Sequence, residues 1–316
     1  MILSRRAVLG SSAALLGSAI ARAQTFAGSY QPRAELVADG IWLVRGVDEP
    51  INFANGGAIA NIAIIATDDG PVLFDSGVSL AHGQALAALA FKVTGRPVTR
   101  VLISHLHPDH ALGAAAFPAQ IIHAVPATRA DLERDAEGFS DAMYRLLSGW
   151  MKGTALVLPQ GDLGNGPLTI GGRELQLLAL NGHSQSDLAL LDAATGTLIT
   201  GDLVFHNRAP ATPHADLAHW QAALDHLETI PHRLLLPGHG PPDPADEAIS
   251  QTREWLAWVD ASLRQSVASG LDMTEAGEVP IPARFAALKF ARYELQRSVS
   301  HFFPAIETEL LPKTAP

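Results

Sequence analysis

Apolar residues along the chain fall into short runs separated by turn signals, and their spacing alternates between strand and helix periods. Ile41 to Val44 and Ile59 to Ala66 read as strands, and the turn Asp68-Asp69-Gly70-Pro71 leads into a third, Val72 to Phe74. The chain therefore opens as an antiparallel meander. Apolar positions recur at helical spacing from Leu80 to Val93, Gly95-Arg96-Pro97 ends that helix, and Val98 to Ser104 follows as a buried strand. A short Ala-rich helix, a strand over Gln120 to Val125 and a helical region reaching Trp150 come next.

The second half repeats this pattern with strands near Leu168 to Ile170, Glu174 to Leu180, Leu188 to Asp192, Thr197 to Thr200 and finally Leu234 to Leu236. Its turn Ala194-Thr195-Gly196 precedes a strand ending near Asp202, much as Asp69-Gly70 precedes the strand ending near Asp75. A weak internal duplication is the reading this suggests. Ile249, Leu256, Val259, Leu263 and Val267 then mark an amphipathic helix. No linker is long or polar enough to divide residues 24–316, so the pattern predicts one domain with a C-terminal helical extension from about residue 245. The fold class expected is α/β, a four-layer αββα sandwich of two mixed sheets with helices outside.

Composition narrows the chemistry. Cysteine is absent from the 316 residues, which excludes disulfides, thiolate zinc sites and a cysteine nucleophile, so any metal rests on His, Asp or Glu. The formal charge of −10 disfavours a phosphate backbone as partner and points to a small-molecule substrate rather than nucleic acid. At the start, Ser4-Arg5-Arg6-Ala7-Val8-Leu9 precedes a small-residue apolar stretch to Ile20 and then Ala21-Arg22-Ala23. This reads as a twin-arginine signal over residues 1–23, which implies periplasmic export. The stretch is shorter than the roughly 20 apolar residues a membrane span needs, so no stable membrane insertion is expected after cleavage.

In Ser104-His105-Leu106-His107-Pro108-Asp109-His110 a buried strand gives way to a helix. Side chains two apart on extended chain share a face, so His105 and His107 can grip one ion, while the turn at Pro108 aims Asp109 and His110 elsewhere. One loop thereby serves two ions. Three later candidates stand beside glycines at apparent strand ends: His183, Asp202 and His239. Nitrogen and oxygen ligation suits Zn2+ best, with Fe2+ or Mn2+ as alternatives.

The run His-x-His-x-Asp-His, followed by His183, Asp202 and His239, resembles the metallo-β-lactamase superfamily from about Asp39 through His239. That resemblance implies a first metal on His105, His107 and His183, a second on Asp109, His110 and His239, and Asp202 bridging them. It also implies that Asp75 braces the ligand loop without being a ligand. The strings Asn55 to Asn61, Trp150 to Thr154, Gly201 to Phe205 and Arg208 to Asp216 are similar to the quinoprotein relay system zinc metallohydrolases, which implies a functional link to a quinoprotein dehydrogenase. True zinc β-lactamases carry Cys or Ser where Asp202 stands, and glyoxalase II differs after the last His from Gly240-Pro241-Pro242.

The activity expected is cleavage of an ester, thioester, lactone or lactam by a hydroxide held between two metals. Asp109 orients that hydroxide or shuttles its proton. Arg208 and His214 are candidates for an anionic substrate group or a leaving-group proton, and Asn55 lies in an Asn52–Asn61 hairpin suited to a flap. Two alternatives stay open: a mononuclear iron persulfide dioxygenase on the same fold, and a non-catalytic metal or quinoprotein accessory protein.

Overall fold

A computed structural model describes residues 28–245 and 247–310; the signal expected over residues 1–23 lies outside them. The first sheet runs β1 (Ala34–Ala38), β2 (Ile41–Val44), β3 (Ile62–Ile65), β4 (Val72–Phe74), β5 (Arg100–Leu102), β6 (Ile122–Ala124) and β7 (Gly161–Asp162), neighbours in that order. Antiparallel pairing from β1 to β4 changes to parallel pairing from β4 to β7. The second sheet has the order β12 (Leu234–His239), β11 (Thr197–Phe205), β10 (Asp187–Asp192), β9 (Arg173–Leu180), β8 (Gly166–Ile170), with only β11 and β12 parallel.

Residues of β3 alternate between two cores. Ala63 and Ile65 meet Leu177, Leu188, Leu190 and Ile199 of the second sheet, while Ile62 and Ile64 face Leu86 and Ala90 of α1 (Leu80–Thr94) and Leu132 of α3 (Pro126–Leu147). Between those helices, α2 (Pro108–Ala111) starts the turn after the histidine loop. Burial on both faces is why these strands read as unbroken apolar runs. On the far side of the second sheet, α4 (Leu217–Glu228), α5 (Ala248–Ala268), α6 (Met273–Gly277), α7 (Ala283–Ala286) and α8 (Ala291–Leu310) share one core with it through Trp220, Trp255, Ala276, Phe285 and Leu295. The layers are therefore helix, sheet, sheet, helix. No helix among the described residues is long and apolar enough to cross a membrane.

Several expected boundaries move. β3 begins at Ile62, because Asn52 to Asn61 forms hydrogen-bonded turns instead of a hairpin. Tyr30 Oη donates to Gly56 O at 2.6 Å and Trp150 Nε1 to Phe53 O at 2.9 Å, which pins this segment down rather than leaving it a flap. β11 does not stop near Thr200 but continues through Asp202 to Phe205. Its register against β12 shifts on both sides of Gly201, whose φ of 52° is left-handed, and this bulge re-aims the next side chain. β1 and β7 went unforeseen: β1 lies at an edge with no fully buried residue and β7 has only two residues.

Candidate metal centre

The loop after β5, the end of β9, the bulged middle of β11 and the end of β12 meet at one edge of the sandwich. His107 has extended backbone (φ −66°, ψ 146°) just before α2, and Pro108 opens that helix. His107 Nδ1 lies 2.9 Å from His105 Nε2 and 2.9 Å from His183 Nε2. With Asp202 these form one potential ligand group, and Asp109, His110 and His239 form a second. Asp202 reaches both: its Oδ2 is 3.4 Å from His183 Nε2 and 3.3 Å from His239 Nε2, while Oδ1 is 3.1 Å from His110 Nε2. Asp109 Oδ2 is 3.4 Å from His239 Nε2. Gly238 leaves the space for this carboxylate, since a Cβ there would sit 2.0 Å from Asp202 Oδ1.

The donor set fits cations. His110 Nε2 and Asp202 Oδ1 are buried without a hydrogen bond of acceptable geometry. Three ring nitrogens converging at 2.9 Å with burial of the whole set would be costly with nothing between them. Burial, reinforced by the neighbouring histidines, holds His105, His107 and His183 well below the ordinary histidine pKa, so they stay unprotonated and able to ligate. Burial opposes charge on His110 too, but the carboxylates of Asp202, Asp75 and Asp109 outweigh it and raise that group. Burial likewise works against the Asp202 carboxylate, yet His110 and His239 hold it well below its usual range.

Outer partners fix the rings. His105 Nδ1 lies 2.8 Å from Ser104 Oγ, which donates to Asp75 Oδ2 at 2.9 Å, and His110 Nδ1 donates to the same oxygen at 2.7 Å. Ser104 N donates to Asp75 Oδ1 at 2.7 Å, so Asp75 braces the loop with three hydrogen bonds and a left-handed φ of 70°. Burial pushes Asp75 above the usual carboxylate value, against which His110 and Ser104 pull. His107 Nε2 is 2.8 Å from His214 Nδ1. His239 differs: its Nδ1 faces the guanidinium of Arg208, with Nη1 at 2.9 Å.

A cavity of about 250 Å³ opens over the two groups, lined by His107, Asp109, Asp202 and His239. His214 and Arg208 both line it, but Arg208 is buried and turned toward His239 and Glu294. Asn55 is not at this site. Its Oδ1 accepts from Asn52 N and Gly57 N and its Nδ2 donates to Glu49 and Pro50, so it closes its own turn and lines a separate cavity with Tyr30 and Trp150. Sequence reasoning passed over Asn61, whose Nδ2 donates to Pro237 O and Gly240 O and so clamps the His239 turn. It also passed over Tyr293, Glu294 and Arg297 of α8, which no local motif marks.

Two sheets stacked between helices, with five histidines and two aspartates gathered at their edge, give the fold and the candidate metal centre of the metallo-β-lactamase type. The chain belongs to the metallo-beta-lactamase superfamily, whose family model matches residues 55–239. It is similar to a linear primary-alkylsulfatase of Pseudomonas sp., 22% identical over 280 residues that cover 75% of this chain and 53% of that one. It is also similar to the acyl-coenzyme A thioesterase MBLAC2 of Homo sapiens, 24% identical over 229 residues, 64% of this chain and 79% of the relative. The chain thus spans about half the length of the alkylsulfatase. Among solved structures, the stereoselective inverting sec-alkylsulfatase Pisa1 from Pseudomonas sp. matches 90% of this chain and 51% of its own, with a TM-score of 0.65 and 19% identity. A metallo-beta-lactamase from Pontibacter korlensis matches 72% and 99%, with a TM-score of 0.58 and 20% identity. At such identities the structural likeness speaks for the fold alone.

Proposed function

We propose that this protein hydrolyses an ester-type bond of a small organic substrate, whether carboxylic ester, thioester, lactone, lactam or sulfate ester, with two divalent cations, zinc foremost, as cofactors. The observation that carries this reading is the convergence of both ligand groups on Asp202 beneath one cavity. His105, His107 and His183 would hold one cation and Asp109, His110 and His239 the second, with Asp202 in reach of both groups. Bound there, such a pair supplies Lewis acidity that polarises the scissile group and brings water to a reactive protonation state near neutral pH.

The chain's own residues supply the rest. Asp109 is buried beside His239 and has a free carboxylate oxygen to orient the attacking water and accept its proton. Burial, then repulsion from His301, lowers the pKa of His214 and keeps it neutral. With Nδ1 accepting from His107, a neutral His214 carries its proton on Nε2, the group we assign to the leaving atom. The cavity, at about 250 Å³, lies just below the roughly 300–1,000 Å³ spanned by ligand pockets, which suits a small substrate. Sulfate esters and thioesters rank first because relatives are named for those activities. The twin-arginine segment supports export to the periplasm and the local sequence likeness supports a functional link to a quinoprotein dehydrogenase.

The test is metal analysis of the purified protein followed by assay against 4-nitrophenyl esters, an acyl thioester, an alkyl sulfate, a lactone and a β-lactam. About two zinc equivalents with turnover of at least one class is expected. Two bound zincs and no turnover of any class would leave an accessory role, and one iron with oxygen uptake on a persulfide would make it a dioxygenase.

A further inference from the structure

The last helix lies beyond the part of the chain that matches the family model, yet α8 sends Tyr293, Glu294 and Arg297 into the lining of the metal cavity. There one buried carboxylate serves two guanidiniums. Arg297 Nη1 donates to Glu294 Oε2 at 2.9 Å, and Arg208 Nη2 is 3.9 Å from Glu294 Oε1. Burial pushes Glu294 above the ordinary carboxylate range while Arg297 and Arg208 pull it down. Even fully ionised it offsets only one of them, so the cluster keeps a surplus positive charge in a chain whose formal charge is −10.

The two arginines are not equivalent. Arg208 is 4% exposed and has one Nη on His239, whereas the Arg297 side chain is 37% exposed, braced from one side by Glu294 and lying over the Tyr293 ring at 5.6 Å. A guanidinium has five N–H donors in a rigid fork, and one contact with Glu294 leaves the rest of the Arg297 fork to solvent and cavity. Met143 and Leu146 of α3 line the same cavity, and Leu146 is 45% exposed.

We infer that Arg297 is a specificity-determining residue that binds an anionic group at the far end of the substrate, so that the preferred substrate is an amphiphile. Its scissile bond meets the metal ligands, its short apolar chain lies against Met143 and Leu146, and its terminal carboxylate or sulfate pairs with Arg297. This rests on the hydrolase reading and names its substrate class. A charge-assisted contact of this kind is worth about 1.5–3 kcal/mol, or roughly ten- to a hundredfold in selectivity.

Matched 4-nitrophenyl esters of hexanoate and of adipate, the latter with a free terminal carboxylate, test it in the zinc-loaded protein. Wild type should favour the adipate ester by about tenfold or more in kcat/KM, mainly through KM. Arg297→Gln should collapse that ratio, Arg297→Lys should recover part of it, and Arg297→Glu should turn the preference toward an ω-amino ester. No wild-type preference, or an Arg297→Gln change that is equal for both esters, overturns the inference. Calorimetric binding of free adipate against hexanoate decides the matter even if neither ester is cleaved. A preference for adipate that Arg297→Gln abolishes upholds the subsite while the hydrolase reading fails, and equal wild-type binding of the two acids overturns the subsite.

Discussion

The two ligand groups share Asp202 but are held from outside in different ways. In the first, His105 turns its outer nitrogen to Ser104 and so to Asp75, and His107 turns its own to His214. Both partners accept a proton-bearing nitrogen, which fixes the ring and strengthens the inner nitrogen as a donor. In the second, His110 has the same arrangement with Asp75, but His239 meets Arg208, which has only donors to offer. With no cation bound, His239 Nδ1 accepts from Arg208, which places a neutral ring's proton on Nε2, the nitrogen that faces Asp109 and Asp202, and that proton must leave before Nε2 can hold a cation. The lesson is that similar ligands gathered at one carboxylate need not bind with equal strength, because the partner on the far ring nitrogen differs.

Removing what the groups share should have the largest effect. Asp202→Ala is expected to lower metal content from about two equivalents to one or none after gel filtration and to cost more activity than the roughly 10–100-fold typical of losing an outer partner. Retention of two tightly held ions would show that Asp202 does not join the groups.

His82 offers a contrast with both groups. It is buried, stacked on Tyr30 at 4.5 Å and accepts from Val78 N, and burial alone lowers its pKa to about 4. Its unfolded value near 6.5 is higher, so the unfolded chain binds more protons between these limits. The stability this group contributes is fully present above pH 6.5 and is lost as pH falls toward 4, a change on the order of 3 kcal/mol. Urea unfolding of wild type and His82→Gln should converge across that window with or without chelator. A parallel pair of pH curves would mean that His82 titrates alike in the folded and unfolded protein.

Asp75→Asn should weaken the second group more than the first, because His110 bonds Asp75 directly while His105 reaches it through Ser104. A drop of about 10–100-fold in affinity for the weaker-bound metal is expected in a competition titration with a chelator. Equal weakening of both steps would remove the asymmetry. The smallest effect is expected from Arg208→Gln, whose amide oxygen can accept from His239 Nδ1. The second binding step should then tighten by about threefold to tenfold, and loosening would show that Arg208 supports the site instead of opposing it.

Much of the sandwich was legible because strand and helix periods are local properties. The α1 region, expected from Leu80 to Val93, runs to Thr94 and ends at Gly95 in left-handed conformation with φ of 74°. The apparent duplication also has a structural counterpart. β3 and β4 are antiparallel with β5 parallel to β4, and β10 and β11 are antiparallel with β12 parallel to β11. Asp202 was harder to place, because a bulge beside Gly201, and not a strand end, turns it into the site. Asn55 misled because an Asn-Gly-Gly turn in a loop near the site looks the same whether its side chain faces a ligand or closes the turn.

The order and type of the ligand residues, the absence of thiolates and the alternation of strands and helices follow from the chain read in one dimension, since each depends on residue identity and short spacing. Only the tertiary structure decided that His214 meets His107, that Asn61 clamps the turn around His239, and that Arg297 from the final helix stands at the cavity while Arg208 is buried. Those pairings join residues far apart in the chain. Helix α8 packs on the second sheet through Leu295, Val299 and Phe303, and it is that apolar burial, indifferent to the polar residues between, that sets which charged side chain reaches the metals' cavity.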